Sequence, residues 1–272
     1  MASCTHEEAD SRMMLHVADA AKQGKSVMVR TVDSDVIVLC LYVFVLLVTT
    51  LSSLWVAFGT GKKFRYVAVH EIYAALGQEK CLALPVFHAL TDCDTVSSFS
   101  GKGKRSAWET WMAYPEVTET FLALMKGSEL VDVDAKFDTL ERFVVLMYDK
   151  TSTSASVNET RLHLFARKGR DVNNIPPTRG ALIQHVRRAV YQAGHCWSQV
   201  CKPIMNLPLP EGWGWTRHGS GKWTVVWSHL PEASKVCAEL LHCSCTKGCE
   251  RRCKCRIAAL SCTALCKCEG SC

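Results

Sequence analysis

Nine cysteines crowd into the last thirty residues of this 272-residue chain. Cys243, Cys245, Cys249, Cys253, Cys255, Cys262, Cys266, Cys268 and Cys272 are spaced C-x-C-x3-C-x3-C-x-C-x6-C-x3-C-x-C-x3-C. The unit C-x3-C-x-C occurs twice after an opening C-x-C, and a further C-x3-C closes the pattern. Thiols this dense are held together by disulfides or by metal, and the compartment decides which. A secreted disulfide scaffold needs a signal peptide, and the first eight residues offer neither a basic n-region nor an apolar h-region. The expectation is a reducing compartment with thiolates on metal. A disulfide knot and a sulfur-rich metal sink are the competing readings. Asn158-Glu-Thr160 matches a glycosylation sequon, which has no meaning in such a compartment.

The cysteine spacing resembles the CXC domains of tesmin-like and chromatin-associated proteins, and the related pre-SET zinc clusters. That resemblance implies three zinc ions on nine thiolates. Three tetrahedral ions require twelve bonds, which six terminal and three bridging cysteines supply. The metal-thiolate core then carries −3, Lys247, Arg251, Arg252, Lys254, Arg256 and Lys267 bring +6, and Glu250 and Glu269 bring −2. The folded unit is close to +1, with its cations outside. Several such relatives bind DNA through basic residues beside the cluster. Here those residues are Lys247, Arg251, Arg252, Lys254 and Arg256.

A second stretch, residues 90–107, has a different chemistry. Asp94 follows the apolar run 82–90, and Gly101-Lys102-Gly103 follows seven residues later, with Lys104 and Arg105 behind it. Glycines let backbone N–H groups approach phosphate, and the helix that opens near Ala107 adds positive potential at its N-terminus. A plain loop-to-helix turn with solvated lysines explains the same residues without a ligand. The segment resembles the helix–two-turn–helix entry of flap-endonuclease-like 5′ nucleases, a branch of the PIN-like fold, in which an aspartate precedes a Gly-x-Gly turn at this offset. Glu8-Ala9-Asp10 resembles their Glu-Ala-Asp motif, and Thr31-Val32-Asp33-Ser34-Asp35 their strand-end Asp-x-Asp. The resemblance covers roughly residues 6–115.

It implies an α/β, three-layer PIN-like domain with a carboxylate cluster, Glu8, Asp10, Asp33, Asp35 and Asp94. Hard cations such as Mg²⁺ or Mn²⁺ take such oxygen ligands, and two of them about 4 Å apart serve phosphodiester cleavage. Gly101, Lys102, Gly103, Lys104 and Arg105 would grip the strand beyond the scissile phosphate. Two departures accompany the resemblance. The related nucleases draw another carboxylate from a strand and helix ahead of the Glu-Ala-Asp motif, whereas seven residues precede Glu8 here, so an N-terminally incomplete domain is expected. Asp92 also stands where that family has glycine, and a turn that needs positive φ would strain it.

Periodicity orders the rest. Residues 6–22 read as a helix, with Met13, Met14, Val17, Ala18 and Ala21 on one side and Gly24 as its stop. Residues 26–32 read as a strand, which puts Asp33 and Asp35 at its C-terminal end, where open α/β sheets place ligands. An Asx-type turn is the alternative use of one of those two aspartates. Strands follow at 54–58 and 64–69, and a helix at 71–76 closed by Gly77. Trp108 and Trp111 on the helix after the glycine turn read as packing. Helical pieces cover 121–125, 140–147 and 176–197, the last with Arg179, Arg187 and Arg188 on a basic side. A proline-bearing connector spans 202–210. Trp213, Trp215, Trp223 and Trp227 surround Gly219-Ser-Gly221 as a hairpin whose rings form a small core or stack on bases. A final helix starts at Pro231 and enters the cysteine block.

Residues 36–61 carry no charge, which is long enough to span a bilayer. Thr49, Thr50, Ser52 and Ser53 interrupt the run, and β-branched residues dominate its start, so a buried strand and helix are preferred over a membrane span. Charge is divided: residues 1–150 sum to −4 and residues 151–272 to +10. An acidic front and a basic back suit a metal site joined to a binder of nucleic acid or acidic surfaces. The expected organisation is a partial PIN-like domain over 1–150, a connector with helix and Trp-rich hairpin over 151–230, and a CXC-type zinc domain over 231–272. The expected function is that of a nuclear, mobile-element-derived protein acting on duplex or branched DNA, resembling a metal-dependent structure-specific nuclease and using no small-molecule cofactor. The alternative is a non-catalytic DNA- or chromatin-binding adaptor built on a degenerate nuclease scaffold, and a weaker third is a membrane protein.

Overall fold

A computed structural model describes residues 3–127, 129–166, 174–219, 221–228, 243–245, 249–250, 253–257, 261–262 and 266–268. The helix expected from Pro231, and Lys247, Arg251, Arg252 and Cys272, lie outside these residues. The chain is mixed α/β with small sheets and a C-terminal cysteine-rich cluster, and it divides into two compact units, 1–227 and 228–272.

The first unit begins with α1 (Ala9–Lys22), which buries Met14, Val17, Ala18 and Ala21 and stops where Gly24 takes φ +67°. Strand β1 (Val27–Thr31) pairs in parallel with β2 (Leu54–Phe58), from Val27 opposite Leu54 to Thr31 opposite Phe58. Strand β3 (Arg65–Ala68) joins β2 antiparallel. The crossover between β1 and β2 is α2 (Ser34–Leu46), apolar on every side and accordingly buried from Val38 to Val45. The charge-free run thus resolves into α2, a turn in which Thr50 Oγ1 donates to Leu47 O at 3.1 Å, and β2. Among the described residues no helix is long and apolar enough to cross a membrane.

Helix α3 (Val69–Leu76) ends at Gly77 and leads into α4 (Gln78–Thr91). Helix α4 packs against α2, α6 (Val117–Leu124) and α9 (Arg179–Val190), and carries Pro85 in its interior. Helix α5 (Lys104–Ala113) follows the glycine turn and buries Trp111 fully between Phe87, at 4.8 Å between ring centres, and Phe121, at 5.3 Å. Trp111 Nε1 donates to Thr118 Oγ1 at 2.9 Å. These contacts make the pair Trp108–Trp111 part of the core, with Trp108 edge-on to Phe87.

The expected piece 140–147 is the second half of α7 (Leu130–Tyr148). Helix α8 (Val157–Ala166) has no counterpart in the periodicity, because it buries only Val157, Thr160 and Leu164 while Leu162 and Phe165 stay exposed. Helix α9 starts three residues after the expected 176, since Thr178 Oγ1 caps it by accepting from Ala181 N after the two prolines. It then widens into a π turn, Tyr191–Cys196, and a 3-10 turn, Trp197–Gln199. Gly194 lets this segment approach α6: a Cβ there would lie 2.4 Å from Leu124 O. Glu141 of α7 is buried and ties both later helices, accepting from Val157 N at 2.8 Å and from Arg179 Nε at 2.9 Å. The hairpin is β4 (Trp215–Arg217) against β5 (Trp223–Val225). Trp213 is buried against His195, 4.5 Å between ring centres.

Candidate functional site

Three separate segments bring the five expected carboxylates together. Glu8 is the N-cap residue of α1 and Asp10 lies in its first turn. Asp33 is the N-cap of α2, its Oδ1 accepting from Asp35 N at 2.9 Å, and Asp35 lies in that helix's first turn. Asp94 sits in the tight loop after α4, where Cys93 pairs with Val96. Acids at helix starts complement the local partial positive charge, so each segment favours its own carboxylate, and the fold crowds them. Burial first, then the charges of Asp10, Asp35 and Asp94, raises Glu8 above the ordinary carboxyl range. Burial first, then Asp33, Asp35 and Asp94, raises Asp10. The donor set is all hard oxygen and short of positive charge, which fits Mg²⁺ or Mn²⁺. The carboxylates are spread wider than a ready-made chelate: among the described residues, only sulfurs form groups of three or more ligand atoms within 4.8 Å of one another.

A buried histidine belongs to this site and escaped the sequence reading. His88 Nε2 lies 2.7 Å from Asp35 Oδ1, with both side chains largely buried. His88 occupies one position in the apolar run of α4, and nothing local links it to an aspartate 53 residues earlier.

The glycine turn is held from several directions. Asp92 takes φ +138°, the one non-glycine residue with positive φ among those described. Gly101 takes φ +68° and Gly103 is the N-cap of α5. Lys104 is turned inward: its Nζ donates to His88 O at 3.1 Å and to Asp92 O, and burial lowers its pKa. It caps the end of α4 rather than standing in solvent. Lys102 Nζ lies 5.3 Å from the centre of the Tyr148 ring, and Tyr148 donates to Ser100 O at 2.9 Å. Arg105 is the exposed cation of the group and pairs with Glu109 at 3.5 Å. The later helices fasten the preceding loop. His185 Nε2 lies 2.7 Å from Leu90 O, its Nδ1 3.2 Å from Ser97 Oγ, and Thr95 Oγ1 donates to Gln192 Oε1 at 3.0 Å. Burial lowers His185 to about 4, so the neutral ring donates from Nε2–H and accepts from Ser97 at Nδ1.

The second site is the sulfur cluster. Cys243, Cys253, Cys255 and Cys266 are buried, and Cys245, Cys249, Cys262 and Cys268 pack against them. Cys243 Sγ lies 3.6, 3.9 and 3.8 Å from the sulfurs of Cys249, Cys262 and Cys268. Cys249 Sγ lies 3.4 Å from that of Cys262 and 3.7 Å from that of Cys268. A tetrahedral ion with bonds of ~2.3 Å spaces its sulfurs about 3.8 Å apart, so these four thiols fit one metal ion. Two further groups do so within 4.8 Å: Cys243, Cys245, Cys249 and Cys253, and Cys243, Cys253, Cys255 and Cys262. All three groups share Cys243. The backbone N–H of Arg256, in the helical turn Lys254–Ile257, leads the effects that draw the Cys253 thiol down to about 6. The Arg256 side chain is exposed and donates from Nη1 to Cys249 O at 3.1 Å. The cluster can hold metal ions. No protein-family model, no curated protein and no solved structure matches the chain.

Proposed function

We propose that the chain is a nucleic-acid-binding protein with a PIN-like, flap-endonuclease-like phosphodiesterase site and a CXC-type zinc module that binds DNA. The observation that carries this reading is the convergence of Glu8, Asp10, Asp33, Asp35 and Asp94 from two helix starts and one strained turn. Those residues would hold Mg²⁺ or Mn²⁺, which at such a site activates water and stabilises the leaving oxygen of a phosphodiester. The chain's own groups position the rest. His88 orients Asp35, Lys104 holds the end of α4 against the Asp92 turn, and Gly101 and Gly103 leave backbone near the strand. Arg105 with Lys102 offers the positive charge. In the sulfur cluster, nine thiolates would share three zinc ions, with Lys247, Arg251, Arg252, Lys254 and Arg256 facing phosphate. Duplex or branched DNA is the partner, in the nucleus, and mobile-element descent accounts for the composite layout.

A second reading, a non-catalytic DNA- or chromatin-binding adaptor, is favoured by one contact: His88 occupies Asp35 Oδ1 at 2.7 Å. The test is cleavage of flap, hairpin and single-stranded DNA with Mg²⁺ or Mn²⁺. Cutting should require the cation and should be lost in Asp94→Ala. Cutting that persists in EDTA, or in Asp33→Ala with Asp35→Ala, rejects the carboxylate mechanism. DNA binding without cutting selects the adaptor.

A further inference from the structure

Arg188 of α9 is the most deeply buried arginine among the described residues, 3% exposed, and it has no acidic partner among them. Its Nη1 donates to Gly214 O at 3.3 Å and to Val226 O at 2.8 Å, and its guanidinium lies 5.5 Å from the centre of the Trp227 ring. Burial lowers its pKa to about 10, which leaves it charged at neutral pH. A buried cation without a counter-charge is costly, and two carbonyls and a ring offset only part of that cost, so an anion would be favoured beside it.

Arg188 lines two clefts. One, of about 230 Å³, is walled by Tyr191, Trp215 and Trp223, with Thr95 and Gln192 as its polar groups. The other, of about 260 Å³, is lined by Ser97, Phe99, Ser100, Arg161, His185 and Trp227. Both include residues of the 95–100 loop, which begins one residue after Asp94. Flat aromatic walls beside the Arg188 guanidinium, with Arg161 and Arg217 adding positive charge nearby, select a ligand that is a ring at one end and an anion at the other. Trp223 is half-buried, with the guanidinium of Arg217 5.9 Å from its ring. A cationic ligand is disfavoured here because Arg188 itself lines the cleft.

We propose that the Trp215–Trp223 cleft holds one unstacked nucleotide of a single strand, its phosphate on Arg188 and its base against Trp215, Trp223 and Tyr191. This rests on the nucleic-acid reading above and adds to it the path of the strand leaving the carboxylate site. The bases need not be of one kind, since every base has a stacking face.

The test uses the full-length, zinc-loaded chain and a single-stranded oligonucleotide carrying 5-iodouracil, photo-cross-linked and mapped by peptide mass spectrometry. Cross-links at Trp215, Trp223 or Tyr191 are expected. Replacing the bases by abasic sites should weaken binding roughly tenfold, and Trp223→Leu should remove most of that discrimination. The abasic comparison uses the unaltered protein, so it stands even if the variant folds poorly. Cross-links confined to the cysteine block, with equal affinity for abasic and normal strands, overturn the cleft and leave the nucleic-acid reading intact. Absence of binding to single-stranded and branched DNA alike overturns both.

Discussion

Two carboxyls at the head of α1, Glu8 and Asp10, hold protons more tightly in the folded chain than in the unfolded one, because burial and neighbouring acids disfavour their ionised forms. Between their ordinary values, 4.5 and 3.8, and their raised folded values, the native state therefore binds more protons than the unfolded state. Stability falls as pH rises through that interval, and below it the penalty is absent because both states are protonated. Mn²⁺ at the cluster should flatten this slope. Thermal unfolding from about pH 4 to pH 7, with and without Mn²⁺, is the check. Stability that climbs through the interval in metal-free protein, or that ignores the cation, contradicts a shared carboxylate site. At this scale the sequence was informative where the signal was local. An acid before a helix, an Asp-x-Asp after a strand and an Asp ahead of a glycine turn mark their own positions. Asp92 is read from the sequence only as a residue that would be strained if its turn needs positive φ, and it takes φ +138°. The His88–Asp35 pair is not legible, because its two halves lie in different elements and neither alters its neighbours' pattern.

Helices written as a stripe of apolar residues were found where the stripe lay: α1, α3 and the start of α9. Helix α8 shows what lies outside that signal. Beside the buried Val157 and Leu164, its first amide docks it by donating to the buried Glu141 of α7. The same carboxylate meets Arg179 at the start of α9, so one side chain docks two helices. Glu141→Ala should therefore destabilise the chain by about 2 kcal/mol, chiefly through the Val157 N–H left unpaired inside the fold; Arg179 is half-exposed and recovers water. Urea unfolding of the variant measures it. A change near zero would mean that α8 is docked by its few apolar contacts alone. The partners of Glu141 are 16 and 38 residues away, a distance over which periodicity carries no information.

At the scale of the molecule, two compact units meet different physical demands. The first buries a continuous apolar core; among the described residues of the second, the buried cluster is of cysteines. Metal binding is the folding energy of such small units. Native mass spectrometry of the zinc-loaded chain should count three ions. A chelator should then strip exchange protection from residues 243–268 while the helical signal of the first unit persists. One ion or none, with paired disulfides after reducing expression, would discard the zinc assignment. The cysteine count exposed this unit from the sequence, whereas the share of the core supplied by residues 157–200 was hidden, because its contacts with α4 and α7 are long-range.

The turn that presents Asp94 is fastened by His185 and Gln192, across separations of 88 to 97 residues. A ribosome releases all five carboxylates long before it releases either fastener. At ~5–20 residues per second, the nascent chain spends ~5–20 s with its acidic motifs made and their geometry unfixed. During synthesis, the site is thus assembled last although its ligands are encoded first.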